Sequence, residues 1–126
     1  MARVGVTYST VELSNPRRPD LRAHHLELLV DTGAFFSVVP ASVLEALGVA
    51  RMERQTFRLA DGTKRTYEVG EATFALTGRT GTSKVVFAPE GVTPLLGALT
   101  LETLGLMVDP VTRELLPMRL MLAAVV

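Results

Sequence analysis

A single carboxylate between two apolar runs is the part of this sequence best suited to chemistry. Asp31, Thr32 and Gly33 follow the apolar residues 28–30 and precede the valines at 38–39. A buried, ionised carboxylate needs a partner, because an unpaired buried charge is costly. Thr32 offers a hydroxyl that can hold the loop, and Gly33 lets the backbone approach a substrate. These residue types suit acid–base catalysis, in which one carboxylate accepts a proton from water and a second donates one.

The second carboxylate must come from a second copy of the chain. Asp-Thr-Gly occurs once, and the other three aspartates stand beside Pro or Gly in turn contexts, at Asp20, Asp61 and Asp109. A two-fold interface places the same residue of both partners face to face, so one aspartate per chain becomes a pair. The sequence therefore predicts a homodimer wherever it predicts this catalysis.

Bulk composition narrows the classes of function. The 126 residues suit one domain, 1–126, and 48% of them are hydrophobic. Thirteen basic and thirteen acidic residues cancel, which disfavours nucleic acid and membrane partners. Cysteine is absent, so disulfides and thiol nucleophiles are excluded. The N-terminus lacks the apolar run of a signal peptide, and residues 115–126 are too short to span a bilayer. We expect a cytoplasmic protein.

The residue pattern predicts a mostly-β chain with one or two short helices. Strands are predicted over residues 3–13, 23–30, 56–59, 63–69, 71–76 and 83–88. Short helices are predicted over 40–48, with Gly48 just past the end, and over 98–104, ended by Gly105. Asp61-Gly62 predicts a two-residue hairpin turn, and residues 77–81 predict a second turn. The apolar residues 115–126 are a candidate dimer strand, or alternatively an ordinary edge or core strand.

These motifs, in this order and spacing, resemble the retropepsin-like aspartic proteases over roughly residues 25–110. Three segments carry the resemblance. The active-site loop matches at Asp31, Thr32, Gly33 and Ala34, followed by Ser37-Val38-Val39-Pro40. The apolar-apolar-Gly signature that supports that loop matches at Leu95, Leu96 and Gly97. The position of the family's flap is occupied by Ala60, Asp61, Gly62 and Thr63.

The resemblance implies a retropepsin-like acid protease barrel that dimerises. It also implies hydrolysis of peptide or protein substrates by a water held between Asp31 and its symmetry mate. No cofactor and no metal are implied. Two alternatives stay open: a catalytically silent dimerisation or peptide-binding module with the same fold, and an unrelated monomeric β-barrel. Aspartic proteases are the standard example of two carboxylates that share one proton.

The chain departs from the viral pattern at two places. Phe35 and Phe36 stand where viral enzymes have acidic residues, and Ala98-Leu99 replaces their Arg-Asn pair. Substrate specificity and dimer packing should therefore be more apolar, and the pattern is closer to cellular bacterial or archaeal members. If the loop is extended, one phenylalanine lines the site or the interface while the other enters the core.

Two other features have simpler explanations. His24 and His25 are adjacent on a predicted strand, so they point to opposite faces and suit a surface pair better than a metal site. Tyr67 could cover substrate as part of the flap, but an aromatic that packs across the sheet explains it better.

Overall fold

A computed structural model describes residues 7–119, and in that part of the chain nine strands and two short helices form. The strands are β1 (Tyr8–Ser14), β2 (His24–Val30), β3 (Ser37–Pro40), β4 (Glu53–Arg58), β5 (Lys64–Leu76), β6 (Arg79–Ala88), β7 (Leu95–Leu96), β8 (Leu106–Val108) and β9 (Leu115–Pro117). The helices are α1 (Ala41–Ala46) and α2 (Ala98–Leu104). The prediction of a mostly-β chain with short helices is confirmed.

One long strand closes the sheet into a barrel. The strand order is β1-β2-β7-β3-β6-β5-β4, and β1 also pairs with β5. The 13 residues of β5 are enough for three partners: the first half pairs with β4, and the second half pairs with β6 and, over 73–75, with β1. Six strands therefore form a closed ring, and β4 extends from it as one arm of a hairpin.

The interior of the barrel is filled by alternate residues of its strands. Along β1, the burial pattern places Val11 and Leu13 inside and their neighbours outside, as a period of two requires. The second half of β5 alternates in the same way. The largest fully buried apolar side chains are Phe74, Leu13, Leu28, Leu44, Leu96, Val11, Val39, Val69 and Val85. Three of them, Leu28, Val39 and Leu96, come from the strands around the Asp31 loop, β2, β3 and β7, so the loop rests on the core.

Both helices end at a glycine, as predicted. Gly48 follows α1 and Gly105 follows α2, and each has φ of 69°. A left-handed residue just past a helix is where glycine is favoured, because a side chain there would be strained. The first helix is shorter than predicted, since Pro40 belongs to β3 and stands as the cap before Ala41.

Both hairpin turns differ in detail from the predictions. The Leu59 carbonyl accepts from Gly62 N–H (2.9 Å), and Leu59 N–H donates to Thr63 (2.7 Å), which makes a three-residue loop rather than a two-residue turn. Gly62 has φ of 87°, as the last residue of such a loop requires. The second turn is shorter than predicted: only Thr77 and Gly78 lie outside the strands, and both have positive φ.

A strand break predicted around residue 70 is wrong. Residues 63–69 and 71–76 were expected as separate strands, but β5 runs through Gly70 without interruption. A side chain on Gly70 would meet the backbone carbonyl of Ala50, so this glycine marks a close crossing of two chain segments.

The C-terminal part of the described chain forms its own small hairpin. β8 and β9 pair antiparallel as a separate two-stranded sheet, and Met118 N–H donates to Gly105 (2.7 Å). Predictions for residues 3–6 and 120–126 lie outside the described residues. Within residues 7–119, no helix is long and apolar enough to cross a membrane.

Candidate active site

The predicted catalytic loop joins two strands that have a third strand between them. β7 is parallel to β2, with Val30 beside Leu96, and antiparallel to β3, with Val38 beside Leu95. The chain that leaves β2 must therefore cross the end of β7 before it enters β3. Asp31 is the first residue of that crossing, and its N–H donates to the Leu96 carbonyl (3.0 Å). The Asp31 backbone is thus fixed to a buried strand while its side chain stays half-exposed.

A tight turn orients the Asp31 carboxylate. Gly33 N–H donates to Asp31 Oδ1 (2.9 Å), and Ala34 N–H donates to the Asp31 carbonyl (3.2 Å). A Cβ on Gly33 would lie 3.1 Å from Asp31 Oδ1, closer than most real Cβ contacts. The glycine therefore lets its own backbone N–H hold the carboxylate in one orientation.

The predicted support residues lie directly behind the loop. Ala98 N–H donates to the Ala34 carbonyl (2.8 Å), and Leu99 N–H donates to the Phe35 carbonyl (3.0 Å). Gly97 stands between β7 and α2 with its α-carbon against the Phe36 backbone. Main-chain hydrogen bonds therefore join the sequence motif at 95–97 and the residue after it to both ends of the motif at 31–34.

Thr32 lies on an open side of the molecule. Its side chain is exposed and lines a groove of about 400 Å³. The other residues that line this groove come from α2, β8 and the chain after them: Ala98, Leu101, Glu102, Leu106, Met107, Val108, Pro110, Arg113 and Met118. An exposed hydroxyl beside the half-exposed Asp31 is available to another molecule rather than to this chain's own core.

The predicted flap is an exposed hairpin built from β4 and the first half of β5. At its tip, the Asp61 carboxylate accepts from the Thr63 hydroxyl (2.6 Å) and the Thr63 N–H (2.9 Å). These hydrogen bonds hold the pKa of Asp61 below its usual value of 3.8, and the one from the hydroxyl has the larger effect. Ala60 and Gly62 complete the tip loop, so the four predicted flap residues form one turn.

A row of aromatic rings joins the flap hairpin to the predicted catalytic loop. The Phe36 and Phe57 rings meet edge to face with centroids 5.6 Å apart, and Tyr67 stands 6.3 Å from Phe57. Phe36 is buried, whereas Phe35 is 62% exposed with its ring 5.3 Å from that of Phe36. One phenylalanine enters the core and the other stays exposed, as expected, but their rings are in contact and do not point to opposite sides. The packing of Tyr67 across the sheet is confirmed.

Sequence reasoning missed the role of Phe57. It stands on the outgoing arm of the flap hairpin, opposite Arg65 in the register. The alternation of residues 56–59 already placed it on one face with Leu59, but nothing in the sequence showed that this face meets Phe36.

The two histidines do not form a metal site in this structure. His24 and His25 are both exposed on β2, opposite Leu13 and Glu12 of β1. Across residues 7–119, no group of three or more His, Asp or Glu side chains is placed to hold a metal ion.

Comparisons with known proteins agree on a family and a fold. A protein-family model described as "gag-polyprotein putative aspartyl protease" matches residues 20–103, more than half of the chain. The solution structure of the Simian Foamy Virus (mac) protease is similar at 20% sequence identity, with a TM-score of 0.54. That match covers 76% of this chain and 92% of the viral one, and at such identity it shows the fold alone. No curated protein matches the sequence.

Proposed function

The chain belongs to the gag-polyprotein aspartyl protease family, and on that premise we propose that it is an aspartic endopeptidase active as a homodimer. One observation carries the proposal. The Asp31 carboxylate stands half-exposed at the end of a core strand, held by Gly33 N–H, in a loop supported by residues 95–97. A carboxylate in that setting suits proton transfer, because its position is fixed while one side remains open to a substrate.

The proposed reaction uses a water between Asp31 and the same residue of the second copy. The ionised carboxylate takes a proton from the water, whose oxygen attacks the carbonyl carbon of the peptide bond. The protonated carboxyl gives its proton to the carbonyl oxygen, which forms a neutral tetrahedral intermediate. The carboxyl that took the proton from water then gives it to the amide nitrogen as the C–N bond breaks. The other carboxylate takes a proton from a hydroxyl of the intermediate, so the two carboxyls again share one proton. The reaction needs no covalent intermediate and no cofactor.

Homodimerisation is part of the proposal because one chain supplies one suitable aspartate. The carboxylates of Asp20, Asp61 and Asp109 are each engaged elsewhere. Asp20 pairs with Arg18 (2.9 Å), Asp61 accepts from Thr63, and Asp109 accepts from Val111 N–H (2.8 Å). Asp20 and Asp61 are exposed in turns, and Asp109 is half-exposed after β8, where its carboxylate accepts from the turn that follows.

The flap gives the proposed enzyme a cover for its substrate. An extended peptide can lie between the catalytic loop and the hairpin tip at Asp61, and hydrogen-bond to exposed main chain such as that of Gly33. Closure of the two flaps of a dimer would exclude water and align the peptide. The exposed Phe35 ring beside the loop supports a preference for apolar side chains, in keeping with cellular rather than viral members of the family.

Cleavage of a peptide library across a pH series tests the proposal. Wild type is compared with Asp31→Asn, and Asp20→Asn serves as a matched control because its carboxylate is exposed in a loop. We expect Asp31→Asn to lower the rate by roughly 10²-fold to 10⁴-fold or more, while Asp20→Asn keeps the wild-type rate. Equal rates for wild type and Asp31→Asn, or no cleavage by either at any pH, would contradict the proposed endopeptidase activity. A dimer that binds peptides without cleaving them would favour the silent module.

A further inference from the structure

Three hydroxyl side chains are buried together behind the proposed catalytic loop. Ser37 begins β3, Thr100 lies in the first turn of α2, and Ser83 lies on β6. Ser37 and Thr100 have no exposed surface, and Ser83 is 5% exposed. A buried hydroxyl is unfavourable unless it is hydrogen-bonded, so a cluster of three at the meeting point of three elements calls for an explanation.

The three hydroxyls form one connected chain that ends on the support motif. Gly97 N–H donates to Ser37 Oγ (2.9 Å), and Ser37 Oγ lies 2.5 Å from Thr100 Oγ1. Thr100 Oγ1 lies 3.1 Å from Ser83 Oγ, which donates to the Lys84 carbonyl at 3.4 Å. One direction of donation satisfies every group: Gly97 gives to Ser37, Ser37 to Thr100, Thr100 to Ser83, and Ser83 to the backbone.

Thr100 is the centre of this chain, since it alone touches both other hydroxyls. Through Ser37 it holds the N–H of Gly97, the residue whose α-carbon packs against the Phe36 backbone. The residue before Gly97 is Leu96, whose carbonyl accepts the Asp31 N–H. The hydroxyl chain therefore ends at Gly97, and the neighbouring Leu96 is hydrogen-bonded to the backbone of Asp31, the proposed catalytic aspartate.

We infer that Thr100 is a positioning residue that fixes the catalytic loop through Ser37 and Gly97. The inference rests on the proposed function only for its effect on the rate. α2 begins at Ala98, and its cap residue Gly97 donates its own N–H to the Ser37 hydroxyl, which anchors the start of the helix. Loss of Thr100 Oγ1 leaves Ser37 and Ser83 without their shared partner, so Gly97 and the loop in front of it become less well fixed.

The chain offers a matched control on the same strand as Ser83. Thr82 is exposed on the other face of β6 and makes a hydroxyl pair with Thr73 across the sheet (2.8 Å). Thr82→Val removes a hydroxyl of the same kind by the same substitution, at a site that is not behind the loop. Thr100→Val is nearly isosteric, and Thr100→Ser restores the hydroxyl.

The experiment measures kcat and KM for a peptide that wild type cleaves, and native-state hydrogen exchange of the Gly97 and Asp31 amides. We expect Thr100→Val to lower kcat by roughly tenfold to a hundredfold with KM nearly unchanged, and to speed exchange at both amides. Thr100→Ser should restore most of kcat, and Thr82→Val should leave kcat and both amides as in wild type. If Thr100→Val does not fold, Ser83→Ala removes the far end of the chain and should give the same pattern, smaller in size.

Two results would overturn the inference. One is a Thr100→Val protein with wild-type kcat and wild-type exchange at Gly97. The other is a loss of kcat that Thr100→Ser does not restore, which would mean that packing alone matters. If wild type cleaves no peptide, the proposed function fails, but hydrogen exchange still decides whether Thr100 positions Gly97.

Discussion

Gly97 and Phe36 are in main-chain contact: a Cβ on Gly97 would lie 2.6 Å from both the carbonyl carbon and the carbonyl oxygen of Phe36. The conformation of Gly97 is ordinary, with φ of −88°, so contact rather than backbone strain requires the glycine here. The two sequence motifs that identify the family thus meet at a point where only a hydrogen atom fits.

Gly97→Ala should therefore be strongly destabilising. The added methyl group overlaps backbone on a buried strand end, and overpacking of this kind costs about 1–3 kcal/mol or more. Urea denaturation measures the loss in the free energy of unfolding. Gly91→Ala is the control: a Cβ there meets nothing within 4 Å, so only the strain of its positive φ applies. A Gly97→Ala protein as stable as the Gly91→Ala protein would contradict the close packing of Gly97 against the Phe36 backbone.

The flap tip should loosen in acid. Hydrogen bonds from Thr63 lower the pKa of Asp61 in the folded protein, so the stabilisation they give is complete above the unfolded value near 3.8. It is lost as the pH falls through the lower, folded pKa. We expect an NMR titration to place the Asp61 midpoint below 3.8, with faster exchange of the Thr63 amide below that midpoint.

Thr63→Val provides the matched test of the flap hydrogen bond. Without the hydroxyl, the largest of the influences that lower the pKa of Asp61 is gone, and its titration midpoint should rise toward 3.8. Asp20 is the internal control, because Arg18 lowers its pKa at a site outside the flap. A midpoint for Asp61 that Thr63→Val leaves in place would show that another group sets it.

Phe35 should select apolar side chains in the substrate. Its ring is 62% exposed and only four residues from Asp31, so it can cover an apolar group of a bound peptide. Phe35→Ser should lower kcat/KM for peptides with aromatic residues near the cleaved bond by roughly three- to tenfold, the value of an aromatic contact. Met52→Ser, at another exposed apolar side chain, is the control. Unchanged selectivity in Phe35→Ser would assign that preference to other residues.

Activity per chain should depend on protein concentration. If each active site needs two copies of Asp31, dilution below the dimer dissociation constant must remove activity, because monomers hold half a site. Over a dilution series, the rate per chain and the fraction of dimer found by sedimentation at the same concentrations should fall together. Constant activity per chain in a range where sedimentation finds monomers would mean that one chain is sufficient.

The sequence predicted the mostly-β fold and the loop at residues 31–34 with its support at 95–97 because those features have local signals. A period-two pattern marks the strands, and two glycine motifs at a fixed distance mark the loop and its support. Gly105 after α2 was also predicted correctly, since a left-handed cap is a local rule, and so was the burial of one of Phe35 and Phe36.

What the sequence did not predict depends on contacts between distant segments. Gly70 suggested a break in a strand, but it marks the crossing of residue 50, which no local pattern shows. The chain of Ser37, Thr100 and Ser83 joins residues 17 and 63 positions apart, and each of these looks like an ordinary polar residue by itself. The tip loop has three residues instead of the predicted two, because the closing hydrogen bonds join Leu59 to Gly62 and Thr63 and so include Ala60 in the loop.

The distance between the two Asp31 carboxylates tests the central claim most directly. A crystal structure of the protein with a bound non-cleavable peptide would measure it. We expect the two Asp31 carboxylates to face each other across a two-fold axis at about 3 Å, the spacing known for aspartic proteases as a class. Two Asp31 side chains that lie far apart in every assembly of the crystal would contradict it.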